Sequence, residues 1–244
     1  MLSFLKNHPF AVEAFFDRSL VLTFAAPKEA LQGLIPPCLT LDTFEDRWAF
    51  IALAMVQTSG LRPKGFNRFF GSDFFLTGYR VFTRFTTEKG KRLRGLYILR
   101  SETDKKRMAF FGNLFTHYRY TITDIRQEDG IIQSQRSGLM VETKEVEVTQ
   151  RDTLPGGSPF HDWKDARRFA GPLPFTFTYL PKQDSVLIVE GVRENWTPRP
   201  VAVKKYCVPF IDSLQIEGLR LAGAFTVENI PYHWEKGRVE KWRP

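Results

Sequence analysis

Short apolar segments separated by turn-forming residues recur along most of this sequence. Segments of this kind predict β-strands, here at residues 18–25, 39–44, 48–56, 73–85, 93–100 and 117–125, with further strands up to residue 149 and again from residue 174. Apolar residues at helical spacing occupy shorter stretches, which predict helices near residues 28–35, 105–115, 161–169 and 210–221, and helical structure around 11–17. The pattern therefore predicts a mainly β fold, of the β-rich α+β class.

The order of these elements limits the architecture. The strands do not alternate strictly with helices, which argues against a doubly wound parallel sheet. Roughly ten short strands with turn signals favour a barrel or a strongly curved antiparallel sheet, flanked by a few short helices. Because no repeat, low-complexity tract or convincing linker divides the chain, we expect one domain spanning residues 1–244.

Several charged residues interrupt the apolar strands between Phe69 and Asp124. They are Arg80, Arg100, Glu102, His117 and Arg119. A charge that points into a barrel is unfavourable unless it is paired or bound to a ligand. An inward-facing Arg80 would bind a carboxylate or phosphate through two parallel hydrogen bonds. The alternative is that these residues form structural Arg–Glu pairs or point outward.

Composition adds a basic charge balance to this picture. The 244 residues carry a formal net charge of +8, with 43% hydrophobic residues and 23 Phe. The basic residues are spread over several segments, and no nucleic-acid-binding module is recognisable. A basic protein that binds nucleic acid or an acidic partner through its surface is therefore left as the alternative function, although charge alone does not predict it. The many Phe suit a rigid core or an apolar ligand pocket.

Side chains suited to metal or covalent chemistry are sparse. The four histidines and the separate Cys38 and Cys207 form no metal-ligand pattern, so no metal and no cofactor are expected. In the pairs 105–106 and 204–205, one lysine could lower the pKa of the other, as a Schiff-base lysine requires. Solvation at the start of a helix argues against the first pair, and the opposite directions of adjacent strand residues argue against the second.

Nothing in the sequence indicates export or insertion into a membrane. The N-terminal residues lack the long apolar region of a signal peptide. The longest apolar run, Trp48 to Val56, is too short to span a bilayer as a helix. Two isolated cysteines fit a reducing compartment better than a disulfide framework. We therefore expect a cytoplasmic protein with no membrane partner, and a homo-oligomer remains open.

Three motifs between residues 22 and 124 follow one another in an order typical of a known family. They are APKEALQGLIPPCLTLDTFEDRWAFIALAMV, then LRPKG, then the GYR of TGYRVF. The arginine of this last motif is Arg80. This region resembles the uncharacterised YqjF-like family of the acetoacetate decarboxylase-like superfamily, and the later SVLIVEGV and IPYHW resemble it more loosely. The resemblance implies a barrel that encloses a pocket and is flanked by short helices.

The resemblance does not extend to the decarboxylase chemistry. Acetoacetate decarboxylases carry a Schiff-base lysine pair in the segment that resembles FFGNLFTHYRY here, and this segment has no lysine. Without an amine no imine can form, so the decarboxylation mechanism of the superfamily should not operate. We expect instead an interior pocket for a small, partly apolar molecule that is anionic or contains a carbonyl group.

The predicted ligand-binding residues share a charged or phenolic side chain in or near these strands. They are Arg80, Tyr79, Arg100, Tyr118, Arg119 and Arg18, the last by its resemblance to a substrate-binding arginine of the superfamily. If the protein is an enzyme, His117 or Glu102 would act as acid or base.

Overall fold

Strands dominate the computed structural model, which describes residues 3–146, 154–171 and 173–242. The strands are β1 (Val12–Pro27), β2 (Thr40–Leu41), β3 (Trp48–Pro63), β4 (Ser72–Thr86), β5 (Arg92–Thr103), β6 (Tyr120–Ile122), β7 (Arg126–Glu128), β8 (Ile131–Gln133), β9 (Met140–Glu145), β10 (Phe175–Leu180), β11 (Ser185–Arg193), β12 (Arg199–Cys207), β13 (Arg220–Trp234) and β14 (Arg238–Lys241). The α-helices are α1 (Lys28–Gln32), α2 (Lys106–Phe115), α3 (Trp163–Phe169) and α4 (Pro209–Asp212). Single 3₁₀ turns cover Ser3–Lys6, Arg68–Phe70 and Pro181–Gln183.

Seven of the strands close into a ring. They are hydrogen-bonded in the order β11–β10–β5–β4–β3–β1–β13, and a pairing of β11 with β13 joins the two ends. Neighbours in the ring are antiparallel except β5 and β10, which run parallel. Strands β12, β9, β8 and β7 continue from β13 as a branch. The predicted mainly β, strongly curved sheet is confirmed, although the sheet is mixed rather than purely antiparallel.

Two apolar cores lie on opposite faces of the ring. Side chains alternate between the faces along each strand, so that Val21 and Ala54 belong to the inner core while Leu22 and Leu53 belong to the outer core. Residues of α1, α4, β9 and β12 cover the outer core. Because both faces of these ring strands are buried, their sequences form nearly continuous apolar runs.

The helical structure predicted around residues 11–17 is wrong. These residues open β1, which pairs with β13 on one side and β3 on the other from Val12 onward. Ala14 and Phe16 are buried while Glu13 and Phe15 are only partly buried, a period of two that marks a strand. The segment is too short for its apolar residues to distinguish the two periods from sequence alone.

The helix predicted over residues 210–221 is also wrong beyond its first turn. The helix α4 ends at Asp212, and the backbone turns left-handed at Gln215 (φ 50°) and Gly218 (φ 69°), which ends a right-handed helical path. The helices predicted near 28–35, 105–115 and 161–169 are confirmed with shorter bounds. No helix among the described residues has the length and apolar content needed to cross a bilayer.

Smaller corrections concern the region around α2. The helix α2 begins directly after β5, and its N-cap residue, Lys105, makes no side-chain cap hydrogen bond. The strand predicted over 117–125 is reduced to the three residues of β6. The last positions of the strand region predicted up to residue 149 lie outside the described residues.

Candidate ligand-binding site

A cavity of about 420 Å³ lies inside the ring of strands. Its walls are mainly apolar side chains from the ring strands and α2, among them Phe16, Val21, Phe74, Leu76, Phe82 and Phe225. The segment 8–10 and residues near the start of β4 line one side, where Phe10, Phe70 and Phe111 are exposed to solvent. We call this side the mouth of the cavity. Ala170 and Gly171, which follow α3, also line the cavity.

Arg80 extends from β4 into this cavity. The alternation of β4 directs Arg80 and Phe82 inward and their neighbours Tyr79 and Val81 into the outer core. No hydrogen bond or ion pair to Arg80 is present among the described residues, and its Nε is buried without a partner. Burial lowers the pKa of the guanidinium from its usual range, which Arg193 reinforces and three nearby tyrosines oppose. The protein therefore encloses a cation without supplying a counter-ion.

The three tyrosines near Arg80 are Tyr118, Tyr120 and Tyr232. Burial raises the pKa of Tyr120 to about 12 and raises the pKa of Tyr118 further, so both phenols are protonated at neutral pH. The Tyr118 hydroxyl is buried near Thr176 and makes no well-formed hydrogen bond among the described residues. Protonated phenols donate hydrogen bonds, so they add neutral donors beside the cationic one.

Glycines make room for these polar side chains. A Cβ at Gly78 would lie 2.9 Å from both Nε and Nη2 of Arg80. A Cβ at Gly112 would overlap the ring of Tyr120, and one at Gly191 would overlap the hydroxyl of Tyr232. Distances of this kind are too short for non-bonded heavy atoms, so each polar group occupies space that only glycine leaves free.

The charges that line the cavity are all positive. Four arginines line it, and no Asp, Glu or Lys does so among the described residues. They are Arg62, Arg80, Arg107 and Arg193. Arg62 pairs with Glu13 at 2.8 Å, whereas Arg193 keeps its charge and donates one N–H to the Leu173 carbonyl at 3.0 Å. Arg193 also stacks over Trp196, whose buried Nε1 lacks a partner among the described residues. Arg80 is thus the enclosed arginine whose side chain has neither a hydrogen bond nor an ion pair among the described residues.

His8 closes part of the mouth as a neutral residue. It is only 7% exposed, its backbone is left-handed (φ 53°), and its amide donates to the Phe115 carbonyl at 3.1 Å. Burial lowers the pKa of His8 to about 4, against an ordinary value near 6.5. The N-terminal segment is therefore fixed to α2 by a histidine that stays uncharged at neutral pH.

Acidification is expected to destabilise the fold through His8. Between pH 6.5 and 4 the unfolded chain gains a proton on this imidazole while the folded chain does not, so about 3 kcal/mol of stability is lost as the pH falls to 4. The change His8→Asn, which tolerates a left-handed backbone, should flatten the pH dependence of urea unfolding in this range. An unchanged slope in the variant would show that His8 is not the responsible group.

Three predicted site residues form a separate cluster on the outer face of β4 and β5. Glu102 is 1% exposed, forms an ion pair with Arg100 Nη2 at 2.8 Å and accepts a hydrogen bond from Tyr79 Oη at 3.4 Å. Burial raises the pKa of Glu102, which the Arg100 charge opposes. Tyr79 and Arg100 both contact the ring of Phe210 in α4. This cluster is the structural Arg–Glu pair of the alternative interpretation, and it does not line the cavity.

The remaining predicted residues divide between the cavity and the surface. Tyr118 lines the cavity with Arg80. His117 lies beside the cavity wall with its Nε2 3.1 Å from Asn7 Oδ1, and burial lowers its pKa. Arg119 is exposed on a left-handed backbone (φ 54°), and Arg18 pairs with Glu228 at 3.6 Å. The structure therefore places two of the eight predicted residues, Arg80 and Tyr118, at the cavity.

Sequence reasoning missed most of the polar lining. His8, Arg193, Trp196 and Tyr232 reach the cavity from segments distant in sequence, and Tyr120 reaches it two residues after Tyr118. The sequence carried a signal for two of them. Arg193 lies at the end of the apolar run of β11, and Tyr232 lies two positions after buried Ile230, on the same face of its strand. Only the β11–β13 pairing that closes the ring places these two residues together. No group of three or more acidic, His or Cys side chains suited to a metal ion occurs in the described part of the chain.

Solved structures share this fold at low sequence identity. Acetoacetate decarboxylase from Legionella pneumophila aligns with a TM-score of 0.59 and 13% identity, covering 96% of this chain and 89% of that one. An acetoacetate decarboxylase-like enzyme from Sphingomonas wittichii RW1 aligns with a TM-score of 0.56 and 12% identity over 98% and 94% of the chains. The enduracididine biosynthesis enzyme MppR, complexed with pyruvate, aligns with a TM-score of 0.56 and 9% identity over 95% and 90%. At these identities the likeness establishes the fold alone.

Comparison of sequences gives a more specific result. Among curated proteins no sequence matches. The DUF2071 family, described as an uncharacterized conserved protein, matches residues 14–208. This range spans most of the ring, including Arg80 and α2. The chain therefore belongs to the DUF2071 family, an uncharacterised family with the acetoacetate decarboxylase-like fold.

Proposed function

We propose that the cavity binds a small, partly apolar molecule bearing one carboxylate or strongly polarised carbonyl group, with Arg80 as its anchor. The observation that carries this proposal is the enclosure of Arg80 in an apolar cavity without an anionic partner among the described residues. A buried cation of this kind destabilises the free protein. An anionic ligand that pairs with Arg80 would compensate this charge and offset the cost of burying it.

The arrangement around Arg80 favours a ligand with a single anionic group. A guanidinium binds a carboxylate through two parallel hydrogen bonds, and the Tyr118 hydroxyl, which is buried near Thr176, can donate a third. Arg62 pairs with Glu13, and Arg193 donates one N–H to the Leu173 carbonyl, so Arg80 is the enclosed arginine whose side chain has no partner among the described residues. The rest of such a ligand would contact the apolar wall, where burial of its surface contributes about 25 cal/mol per Å².

The proposal does not include Schiff-base chemistry. Formation of an imine requires an amine at the ligand, and no lysine lines the cavity among the described residues. The pyruvate bound in the MppR complex carries a carboxylate beside a carbonyl, and such a molecule matches the ligand class proposed for this cavity. Borohydride treatment in the presence of a 2-oxo or 3-oxo acid should leave the protein mass unchanged, whereas a lysine adduct would contradict this part of the proposal.

The alternative surface function receives less support. Several arginines that contribute to the net charge are engaged in ion pairs, as for Arg84 and Arg94 with Asp42 and Arg199 with Glu228. We expect no binding of a polynucleotide even at low ionic strength, where electrostatic binding is strongest. Tight, salt-sensitive binding in a fluorescence anisotropy titration would instead favour the surface function.

The proposed ligand class can be tested with matched acids and alcohols. Trp196 and Trp234 line the cavity, so a bound molecule should change tryptophan fluorescence. Butanoate, hexanoate and phenylacetate are titrated against their alcohol analogues 1-butanol, 1-hexanol and 2-phenylethanol. At least one acid should bind roughly tenfold more tightly than its alcohol, because only the acid pairs with Arg80. Equal affinities across all pairs would show an apolar cavity without an anion site.

The position of the Arg80 guanidinium is open to a separate test. In Gly78→Ala the new methyl group would lie 2.9 Å from Arg80 Nε and Nη2, so the guanidinium must move. We expect the preferred acid to bind roughly tenfold more weakly, because misplacing a charged donor weakens its hydrogen bonds. Gly223→Ala is the matched control, since the nearest side-chain atom would lie 3.8 Å away. Equal affinities in the two variants would refute the predicted displacement.

A further inference from the structure

Exposed phenylalanines surround the mouth of the cavity. Nine large hydrophobic residues are exposed among the described residues, and six of them occur in three segments around this opening. We call these six the aromatic rim: Phe10, Phe66, Phe69, Phe70, Phe110 and Phe111. Phe69 is 88% exposed, Phe110 65% and Phe66 58%. An apolar cluster this exposed usually marks an interaction surface.

The rim is continuous with the cavity. Phe10, Phe70 and Phe111 line the cavity directly. The ring of Phe69 lies 5.7 Å from that of Phe70, and the ring of Phe110 lies 5.3 Å from that of Phe111. Each pair thus joins one residue at the cavity wall to one directed further into solvent. A molecule that passes through the mouth contacts the rim.

Cations accompany the aromatic residues on both sides of the mouth. The segment 64–71 reads KGFNRFFG, and the segment 105–112 reads KKRMAFFG, so each places basic residues before an exposed Phe pair. Arg68, Lys106 and Arg107 are exposed and form no ion pair with any residue that the structure describes. Lys64 and Lys105 each pair with one carboxylate. The surface around the mouth therefore combines apolar rings with free positive charge.

We propose that the aromatic rim docks on an anionic lipid bilayer. Peripheral membrane surfaces combine aromatic residues, which enter the interfacial region, with Lys and Arg, which bind anionic headgroups. The pairing of each exposed Phe–Phe with neighbouring cations supplies both components at both sides of the mouth. The absence of a spanning segment, on which the expectation of no membrane partner rested, does not bear on a peripheral contact.

A second copy of the chain fits this surface less well. In a twofold-symmetric dimer the same patch meets itself, which would bring Arg68, Lys106 and Arg107 against the cations of the other copy. Like charges at an interface are unfavourable. Such a dimer would also cover the mouth of the cavity. An anionic bilayer instead compensates the charge, and a mouth that faces it gives an amphipathic acid a route from lipid to cavity. This route rests on the proposed function, whereas the docking itself does not.

The test is binding of the full chain to vesicles of phosphatidylcholine, alone or with about one third phosphatidylserine. Sedimentation should show at least tenfold stronger binding to the anionic vesicles at low salt, falling sharply at about 0.5 M salt because of screening. Phe69→Ser/Phe110→Ser and Arg68→Glu/Lys106→Glu should each weaken binding at least tenfold. These four residues do not line the cavity, so binding of the preferred acid should persist in both variants.

Lys182→Glu/Lys205→Glu is the matched charge control, since both lysines are exposed and lie outside the two rim segments. It should change vesicle affinity by less than about twofold, in contrast to the rim variants. An equal loss of vesicle affinity in the control would show that binding depends on the overall net charge and not on the rim, and it would overturn the proposal. Wild-type binding by the Phe double variant, or no binding to anionic vesicles at low salt, would also overturn it. Failure of acid binding with intact vesicle binding would reject the cavity proposal alone.

Discussion

Arg80→Met is expected to weaken binding of the preferred acid at least about 100-fold while leaving the folded state as stable as the wild type or more stable. The loss of affinity follows because the enclosed side chain of Arg80 has no hydrogen bond or ion pair among the described residues and is therefore open to a ligand. The gain in stability follows because methionine has a similar length and removes a buried charge that lacks a partner. A residue retained for packing would show the opposite result, with stability lost and affinity preserved.

The measurements are the dissociation constant by tryptophan fluorescence and the midpoint of thermal unfolding without ligand. A stabilisation of about 1 kcal/mol would raise the midpoint by about 2–4 °C in a chain of this size. In wild type, a saturating acid should raise the midpoint through mass action, and this shift should vanish in Arg80→Met. Unchanged affinity in the variant would remove Arg80 from the site.

Arg84→Met is the matched control on the same strand. Arg84 lies on the same face of β4 as Arg80, since the two are four positions apart, but it pairs with the fully buried Asp42. This variant should lose stability and keep its affinity for the acid. The two arginines would then show opposite effects, which depend on whether each has a partner within the protein.

The sequence indicated that Arg80 was important but could not establish which way it points. In β4, Tyr79 is followed two positions later by Val81, and Arg80 is followed two positions later by Phe82. Both faces of the strand therefore carry apolar residues, because one face borders the inner core and the other borders the outer core. In a strand with one solvated face, apolar and polar residues alternate, and this alternation would have shown which residues point inward. The outer layer that buries the second face comes from α4, β9 and β12, whose positions depend on contacts distant in sequence.

The expectation that Glu102 lies in the pocket failed for a different physical reason. In β5, Ile98 faces the cavity, and strict alternation from there would direct Glu102 inward. A β-bulge intervenes, since Tyr79 pairs with Arg100 and the next residue, Arg80, pairs with Ile98, leaving Leu99 as the extra residue. Beyond the bulge Ser101 lines the cavity and Glu102 faces outward. No Gly or Pro at residues 98–101 marks this bulge in the sequence.

The overall class of the fold was accessible because it depends on local patterns. Repeated apolar segments predicted a mainly β, strongly curved sheet, and the motifs around residues 22–124 predicted the family. The polar lining of the cavity depends on ring closure between β11 and β13, which brings Arg193 and Tyr232 into register only at the end of the chain. Pairings over such sequence distances leave no periodic signal. The residues that line the cavity were therefore the least predictable part of the structure.

Asp42→Asn is expected to destabilise the protein by about 3 kcal/mol, because it removes the negative charge of a buried carboxylate that pairs with two arginines. Asp42 is fully buried and lies 2.5 Å from an Arg84 nitrogen and 2.7 Å from an Arg94 nitrogen. Both arginines are more than one third exposed, which keeps the expected loss at the lower end of the range for buried ion pairs. Urea unfolding at neutral pH measures the loss.

This ion pair also fixes the end of the cavity far from the mouth. Arg94 donates to the Phe169 carbonyl at 3.0 Å and stacks over the Phe169 ring. The next residues, Ala170 and Gly171, line the cavity. Loss of Asp42 should therefore loosen α3 and weaken binding of the preferred acid by a few-fold, much less than the change in Arg80→Met.

Asp46→Asn provides the matched control for Asp42. Its carboxylate pairs with Lys28 at 2.9 Å but is 87% exposed, so its removal should change stability by less than about 0.5 kcal/mol. A loss in Asp42→Asn no greater than in this control would show that the buried pair does not stabilise the ring. A large loss of stability with normal acid affinity would separate the ion pair from the cavity. The combination of lowered stability with slightly weakened binding is the outcome that the Arg94–Phe169 contacts predict.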